Sequence, residues 1–511
     1  MNVVISSGGS GGRVLEALIH LCAAGLGPES IGVIRLEPDT SNGCAARVEK
    51  LLQAYDRCHK IVGQAGEGPF HTQIEVFAPT AGAGNFGCWS PVKPKETLRG
   101  LLNYNILKSR ERDVVHLLYS EDELDMRLDE GFRGHTSIGA AAFAQLSATT
   151  VDPLWARLVG GLRTATSQRG AHVVLVGSVF GGTGASSFHP VLRFLRQIPQ
   201  QNHDKLHVGL VALAPYFSFE APAAPDDPAQ RLAAQAAWFP LATRSAAAFY
   251  HHLKENNDWD VDEMFWVGDS RLAKVEYAPG GIKQVNPPHF VDLLGALACL
   301  ESLRAEHSSR GIYYSGPAQQ EPAKGGGAPL EWTDVPVLRL DASAIKQVTL
   351  TLLLAGMAHT TFFGPLLNKL GSDADSYRIP WYYDRFVGHG GSLKRAEAQQ
   401  QMDHFTQFLE EHHFPWWRDV HATDGARLFN QSAIPNQKGE GDSSPIARLL
   451  WPDRAPGGGS PIHALFDEVI RVAAKTPGEP NTATWLTILF SASRSYSTRA
   501  YSTQVMKGGA R

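Results

Sequence analysis

Cysteine is scarce in this 511-residue chain. Its five residues, Cys22, Cys44, Cys58, Cys88 and Cys299, are odd in number, widely spaced and never arranged as a CxxC pair. That pattern supports neither a disulfide framework nor a thiolate zinc site, and it fits a reducing cytoplasm. A surplus of positive charge is also missing. With 47 Lys+Arg against 51 Asp+Glu the formal charge is −4, which argues against a nucleic-acid binder that must neutralise many phosphates. Any anionic ligand must therefore be held locally. The one membrane candidate, residues 348–367, carries His359, four threonines and a Gly-Pro pair, which oppose insertion of a span of about 20 residues and favour a buried core helix. The opening Met1–Ile5 has no basic region and leads straight into glycines, so it reads as a first core strand and not as a signal peptide. No GxSxG elbow or Ser-His-Asp arrangement is visible. The adjacent pairs His251-His252 and His412-His413 diverge on a helix and make poor metal ligands.

What the chain has in quantity is glycine: 50 residues, above the average of about 7%. Hydrophobic residues at 43% and charged residues at 19% describe a globular protein, and the length allows two to four domains at about 150 residues each. Short apolar runs alternate with amphipathic patterns in the first third, the signature of βαβ units and a largely parallel sheet. Strands are expected at 2–5, 31–36, 73–77, 114–118, 172–176, 207–212 and 263–267, and a helix at 13–24. Asn286 with Pro287 signals the start of a strongly apolar helix running to about Arg304. The segment 305–337, with Gly325–Gly327 and scattered prolines, reads as a long connection containing one hairpin near Gly311–Ser315. A second strong helix follows from Asp341 to Phe363. Beyond it come a polar helix at 396–412, loops at 430–461, a helix at 463–474 and a strand at Thr484–Ser491. Trp416-Trp417 reads as core packing. The expected organisation is α/β: a mainly parallel sheet domain at 1–284, a joining helix at 285–304, an irregular connection at 305–340 and a second α+β domain at 341–511.

The glycines cluster where strands should become helices. Ser6 to Arg13 (SSGGSGGR) follows the first strand, where backbone N–H groups and the positive helix end converge on an anion. The segment lacks the Lys-Ser or Lys-Thr of a P-loop, and Val14 stands where GxGxxG needs its third glycine. Ser178 to Ser187 (SVFGGTGASS) repeats the arrangement after a buried strand, and Gly131 to Gly139 (GFRGHTSIG) adds a third glycine-bearing loop. One dinucleotide needs a single such fingerprint; several nests suit a nucleotide wrapped by successive loops.

In order and location these segments resemble the tubulin/FtsZ superfamily, in particular its divergent bacterial tubulin-like members. Gly181-Gly182-Thr183-Gly184 with Ala185 and Ser186 resembles the glycine-rich signature. Gly8, Gly9, Ser10, Gly11, Gly12 and Arg13 resemble the first phosphate loop, and Gly134, His135 and Thr136 the loop that senses the terminal phosphate. Asp39 and Asn42 fall where the family places a loop near base and magnesium. Phe217-Ser218-Phe219-Glu220 is similar to the segment whose acid contacts ribose, although Ala224 replaces the expected arginine. The resemblance covers about residues 1–304. It implies GTP/GDP with Mg²⁺, a guanine contact at Asn286 that is equally readable as a helix cap, and hydrolysis completed between subunits assembled head to tail by an acid of the next copy. Asp334 and Asp292 are the candidates for that acid. The family's division proteins carry an apolar tail peptide that this C-terminus lacks, so partners of a cytoskeletal or defence system are expected, with no nucleic acid and no membrane. Two alternatives remain: a non-hydrolysing, nucleotide-dependent interaction module, and a nicotinamide-dependent oxidoreductase with Glu37 or Asp39 on the ribose.

Overall fold

The computed structural model describes residues 1–39, 41–63, 68–79, 87–144, 146, 152–198, 205–220, 232, 234–269, 271–278, 280–316, 331–360, 385–386, 393, 396–422, 426–429 and 461–508. The chain divides into two compact units, each discontinuous in sequence. The first comprises Met1–Leu18, Ser30–Lys50 and Ile74–Pro317, and the second Ile19–Glu29, Leu51–Gln73 and Ala318–Arg511.

A seven-stranded sheet organises the first unit, in the order β3-β2-β1-β4-β5-β7-β9. Its strands are β1 (Asn2–Ser7), β2 (Ser30–Leu36), β3 (Gln73–Val76), β4 (Ala171–Ser178), β5 (Leu206–Leu213), β7 (Glu263–Val267) and β9 (Gly311–Ser315); β6 (Phe217–Ser218) and β8 (Ala273–Lys274) form a separate small ladder. Parallel pairing joins β1 to β2 and β4, β4 to β5, β5 to β7 and β7 to β9. Val3, Val4, Ile5, Val173–Val176 and Leu210–Leu213 are wholly buried, as central parallel strands covered on both faces must be. The chain winds outward from β1 to β2 and β3, then returns beside β1 with β4 and continues the other way. The crevice at the carboxyl ends of β1 and β4 is therefore a topological switch point, where ligands of open α/β sheets bind.

Several elements differ from their sequence reading. The first helix spans Gly8–Ala24, five residues earlier than expected: Gly8 at φ +68° turns the chain directly out of β1, so the glycines are the helix's first turns. A Cβ on Gly11 would lie 2.6 Å from Val176 O, so that face can approach β4 only without a side chain. Residues 114–118 lie in the helix Ser109–Leu118, whose only buried residue is Val115; a short apolar run does not distinguish strand from helix. Gly311–Ser315 is no hairpin but the β9 edge strand, in register with β7 from Glu263↔Gly311 to Val267↔Ser315. The apolar helix begins at Phe290, not at Asn286. Residues preceding a proline favour extended backbone, so helix waits until Pro287-Pro288 has passed. His289 is its N-cap, accepting from Val291 N at 3.1 Å. Every residue from Phe290 to Leu303 is buried.

In the second unit, the described part of 331–508 consists of helices and turns with no strand ladder. Thr484–Ser491, expected as a strand, lies within the helix Thr482–Gly508. Asn481 Oδ1 accepts from Thr484 N at 2.9 Å, and Trp485, Leu486, Ile488, Leu489 and Ala492 are buried at helical spacing. Trp416 and Trp417 are buried, with ring centroids 4.8 Å apart. The helix Ala342–Ala358 is capped by Asp341, which accepts from Ser343 N. Gly325–Gly327, Ala224, residues 361–367 and the loops at 430–460 lie outside the described residues. No helix among the described residues is long and apolar enough to cross a membrane.

Candidate functional site

At the switch point the structure opens a cleft of about 990 Å³, counted to its mouth and lined only by residues of the first unit. Its floor is two helix beginnings. The Gly8–Ala24 helix follows β1 and the Gly182–Gln197 helix follows β4, and Gly8, Gly9, Ser10, Ser178, Gly181, Gly182, Thr183 and Gly184 line the space between. First-turn N–H groups have no intrahelical acceptor, and Gly181, N-cap of the second helix, supplies no side-chain bond. The site therefore presents a double set of donors and two positive dipole ends.

The two beginnings and the third glycine loop lock together. A Cβ on Gly8 would stand 3.1 Å from Thr183 Cβ, one on Gly184 2.5 Å from Ser178 O, and one on Gly182 2.9 Å from both Gly134 N and Phe132 Cβ. Gly182 is thus demanded by protein packing and not only by a ligand, so the expectation that a side chain there leaves the fold intact is corrected. Gly9 differs: it lines the cleft, and no heavy atom lies within 4 Å of its Cβ position.

Arg13 reaches the cleft from beneath. Its Nη2 donates to Ser10 Oγ at 3.2 Å and Tyr216 Oη at 2.6 Å; Tyr216 Oη donates to Asp292 Oδ1 at 2.6 Å; Arg13 Nε lies 3.5 Å from Asp292 Oδ2. Against the cost of burial, Tyr216 and the Asp292 carboxylate hold the guanidinium above its ordinary value. Asp292 also accepts from His289 N at 2.8 Å and is fully buried. It closes a structural network within its helix, which corrects its candidacy as an acid offered to a neighbouring copy. Burial, with the Arg13 and Arg271 charges, pushes the His289 imidazole down to about 3.

One side of the cleft is acidic and amide-bearing. Asp39 Oδ1 accepts from Ser41 and Oδ2 from Gly281 N at 2.6 Å. Glu37, Glu130 and Glu276 also line the space, and burial pushes the Glu37 carboxyl up to about 8 against the opposing N–H of Asp39. Asn42 Oδ1 accepts from Cys44 N and Ala45 N, and its Nδ2 donates to Gln284 Oε1 at 2.6 Å. Asn286 lines the cleft while its carbonyl accepts from Arg47 Nη1 at 3.0 Å. The opposite side is aromatic: the Phe239 ring centroid lies 4.6 Å from Phe180, 5.9 Å from Phe217 and 5.6 Å from Phe219, and Tyr277 is 5.5 Å from Phe219. Such a wall offers faces for a flat heterocycle.

Of the residues singled out in the sequence, Gly8, Gly9, Ser10, Arg13, Asp39, Asn42, Gly134, Gly181–Gly184 and Asn286 line this cleft. Gly11, Gly12, His135, Thr136, Ala185, Ser186 and Glu220 do not. His135 instead bonds Glu123 Oε1 at 3.1 Å and Leu232 O at 3.3 Å, Ser186 Oγ donates to Gly182 O at 2.6 Å, and Glu220 is exposed. Asp334 belongs to the second unit, in the turn Trp332–Asp334, where its carboxylate accepts from Glu331 N at 2.9 Å. Sequence reasoning did not assemble Phe239, Tyr277 and Gln284 into the site, since they are distant in sequence and carry no motif. A nucleoside phosphate fits this donor set: N–H groups for phosphates, amides and aromatic faces for a base. No group of three or more His, Cys, Asp or Glu among the described residues has the geometry of a metal site. A magnesium ion would therefore be carried by phosphate oxygens and its own water, as that cation prefers.

No family model matches the sequence, and no curated protein matches it. Among solved structures, CetZ from Methanosaeta thermophila strain DSM 6194 aligns at 12% identity with a TM-score of 0.20, covering 52% of this chain and 45% of that one. The alignment thus spans less than half the length of that protein.

Proposed function

We propose that this chain is a nucleotide-binding protein of tubulin-like kind, which takes GTP with Mg²⁺ and hydrolyses it when copies associate head to tail. The observation that carries the reading is the pairing of two uncapped, glycine-built helix beginnings at the β1/β4 switch point. A single fingerprint would suit a dinucleotide; here a second beginning and the Gly131–Gly134 turn meet the first around one cleft. The guanine preference rests on the resemblance of the loops, with the cleft-lining Asn286 amide and the aromatic wall as its physical support. The chain's own residues bind phosphate through main-chain N–H groups, hold the base against the ring wall and keep Arg13 charged beneath the floor.

No carboxylate stands within the two glycine segments, and phosphoryl transfer needs above all a positioned water and charge stabilisation. An isolated copy should then turn over slowly, with Asp334 of the next copy orienting the water. Equilibrium binding of GTP, ATP and NAD, with sedimentation in the presence and absence of GTP, tests the reading. GTP binding with nucleotide-dependent sedimentation supports it; tighter ATP or NAD binding refutes it. Asp334→Ala should preserve binding and remove most turnover, and activity per copy should rise with protein concentration. Concentration-independent turnover that is insensitive to Asp334→Ala rejects the assembly mechanism.

A further inference from the structure

Arg133 lines the cleft, and the reading above gives it no task. Its backbone sits at φ +46°, between Gly131 and Gly134 at +85° each, a left-handed turn that strains any residue bearing a Cβ and persists only where its surroundings over-determine it. Here they do. His135 N donates to Phe132 O at 2.7 Å, and the turn is seated on Gly182 at the start of the second glycine helix, as the 2.9 Å approaches to Gly134 N and Phe132 Cβ record. The Arg133 guanidinium, 13% exposed, donates from Nη2 to Glu130 Oε2 at 2.6 Å, and Glu130 is 43% exposed. The other cation of the lining, Arg13, is committed to Tyr216, Ser10 and Asp292, and among the described residues no lysine lines the cleft.

We propose that Arg133 is the side-chain ligand of the terminal phosphate of a bound nucleoside triphosphate, exchanging the Glu130 carboxylate for that phosphate; this rests on the nucleotide reading above. A half-exposed carboxylate pair contributes little, whereas a phosphate offers more charge and matches the guanidinium fork in two parallel hydrogen bonds. The exchange is favourable only when a third phosphate is present, so the site discriminates triphosphate from diphosphate. In hydrolysis the water oxygen bonds to the terminal phosphorus while the bond from that phosphorus to the bridging oxygen breaks, giving nucleoside diphosphate, inorganic phosphate and a proton released to solvent. Arg133 takes no proton; it neutralises charge on the equatorial oxygens in the transition state.

The test is equilibrium binding of GTP and of GDP, each with Mg²⁺, to the full chain and to its R133Q, R133K and E130Q variants. For R133Q the expected result is GTP affinity weakened by about tenfold to a hundredfold and GDP affinity changed by less than about threefold, the loss of one charge-assisted contact. E130Q should tighten GTP and leave GDP alone, and R133K should recover part of the loss. Retained GDP binding shows that R133Q is folded. Equal effects on GTP and GDP, or none on either, overturn the proposal and leave the nucleotide reading standing. A wild-type chain that binds neither overturns the nucleotide reading and this proposal with it.

Discussion

Gly9→Val separates ligand recognition from folding at this site. Gly9 lies in the first turn of the Gly8–Ala24 helix, away from the positive-φ region, and its Cβ position has no heavy atom within 4 Å. Replacing a helical glycine recovers a few tenths of a kcal/mol of propensity, so stability should be unchanged or slightly raised. The valine methyls would occupy the cleft where an anion approaches the N–H groups. Losing two hydrogen bonds to a charged group, at about 1.5–3 kcal/mol each, amounts to about 3–6 kcal/mol, a hundredfold or more in affinity. Gly182→Val should behave differently. Its Cβ would press on Gly134 N and Phe132 Cβ at 2.9 Å, an overpacking that costs about 1–3 kcal/mol of stability. Thermal unfolding and titration calorimetry with GTP on both variants read the two effects. A folded Gly9→Val protein that binds GTP within threefold of wild type would refute the placement of phosphate on this helix.

Because burial holds the Glu37 carboxyl near 8 from an ordinary 4.5, folded Glu37 keeps its proton where unfolded Glu37 has lost it. Its contribution to stability therefore falls from pH 4.5 to about 8 and levels off above, while anion affinity weakens as pH passes 8; Glu37→Gln should remove both trends in pH-dependent melts and GTP titrations. Burial lowers His359 to about 4 and His413 to about 3 from an ordinary 6.5. Their stabilisation is complete above 6.5 and lost as pH falls through that window, so denaturant midpoints should drop on acidification and His359→Met should flatten the slope. Trp417, fully buried against Trp416 and Phe429, should cost about 3–5 kcal/mol on truncation to Ala, read as a lower urea midpoint. An effect under 1 kcal/mol would place it outside the packed interior.

The strands β1, β2, β4, β5 and β7 were legible because continuous Val/Ile/Leu runs have no amphipathic alternative, and the glycine clusters because four glycines after such a run leave little else for the backbone to do. Val114–Leu118 and Thr484–Ser491 were misread as strands, since local composition is ambiguous for short apolar runs; the Asn481 cap and neighbouring helices decide the second. The order of β1 beside β4 is absent from any local pattern, because pairing across about 170 residues is set by which faces can be buried together. The same holds for the site. Composition and spacing determined that backbone donors, not lysines, would meet an anion. Only tertiary structure decided that Gly182 serves packing while Gly9 faces open space, that Asp292 is consumed by Arg13 and Tyr216, and that Phe239 and Tyr277 join one wall. Hydrogen bonds and close approaches between segments far apart in sequence exist only once the chain has closed.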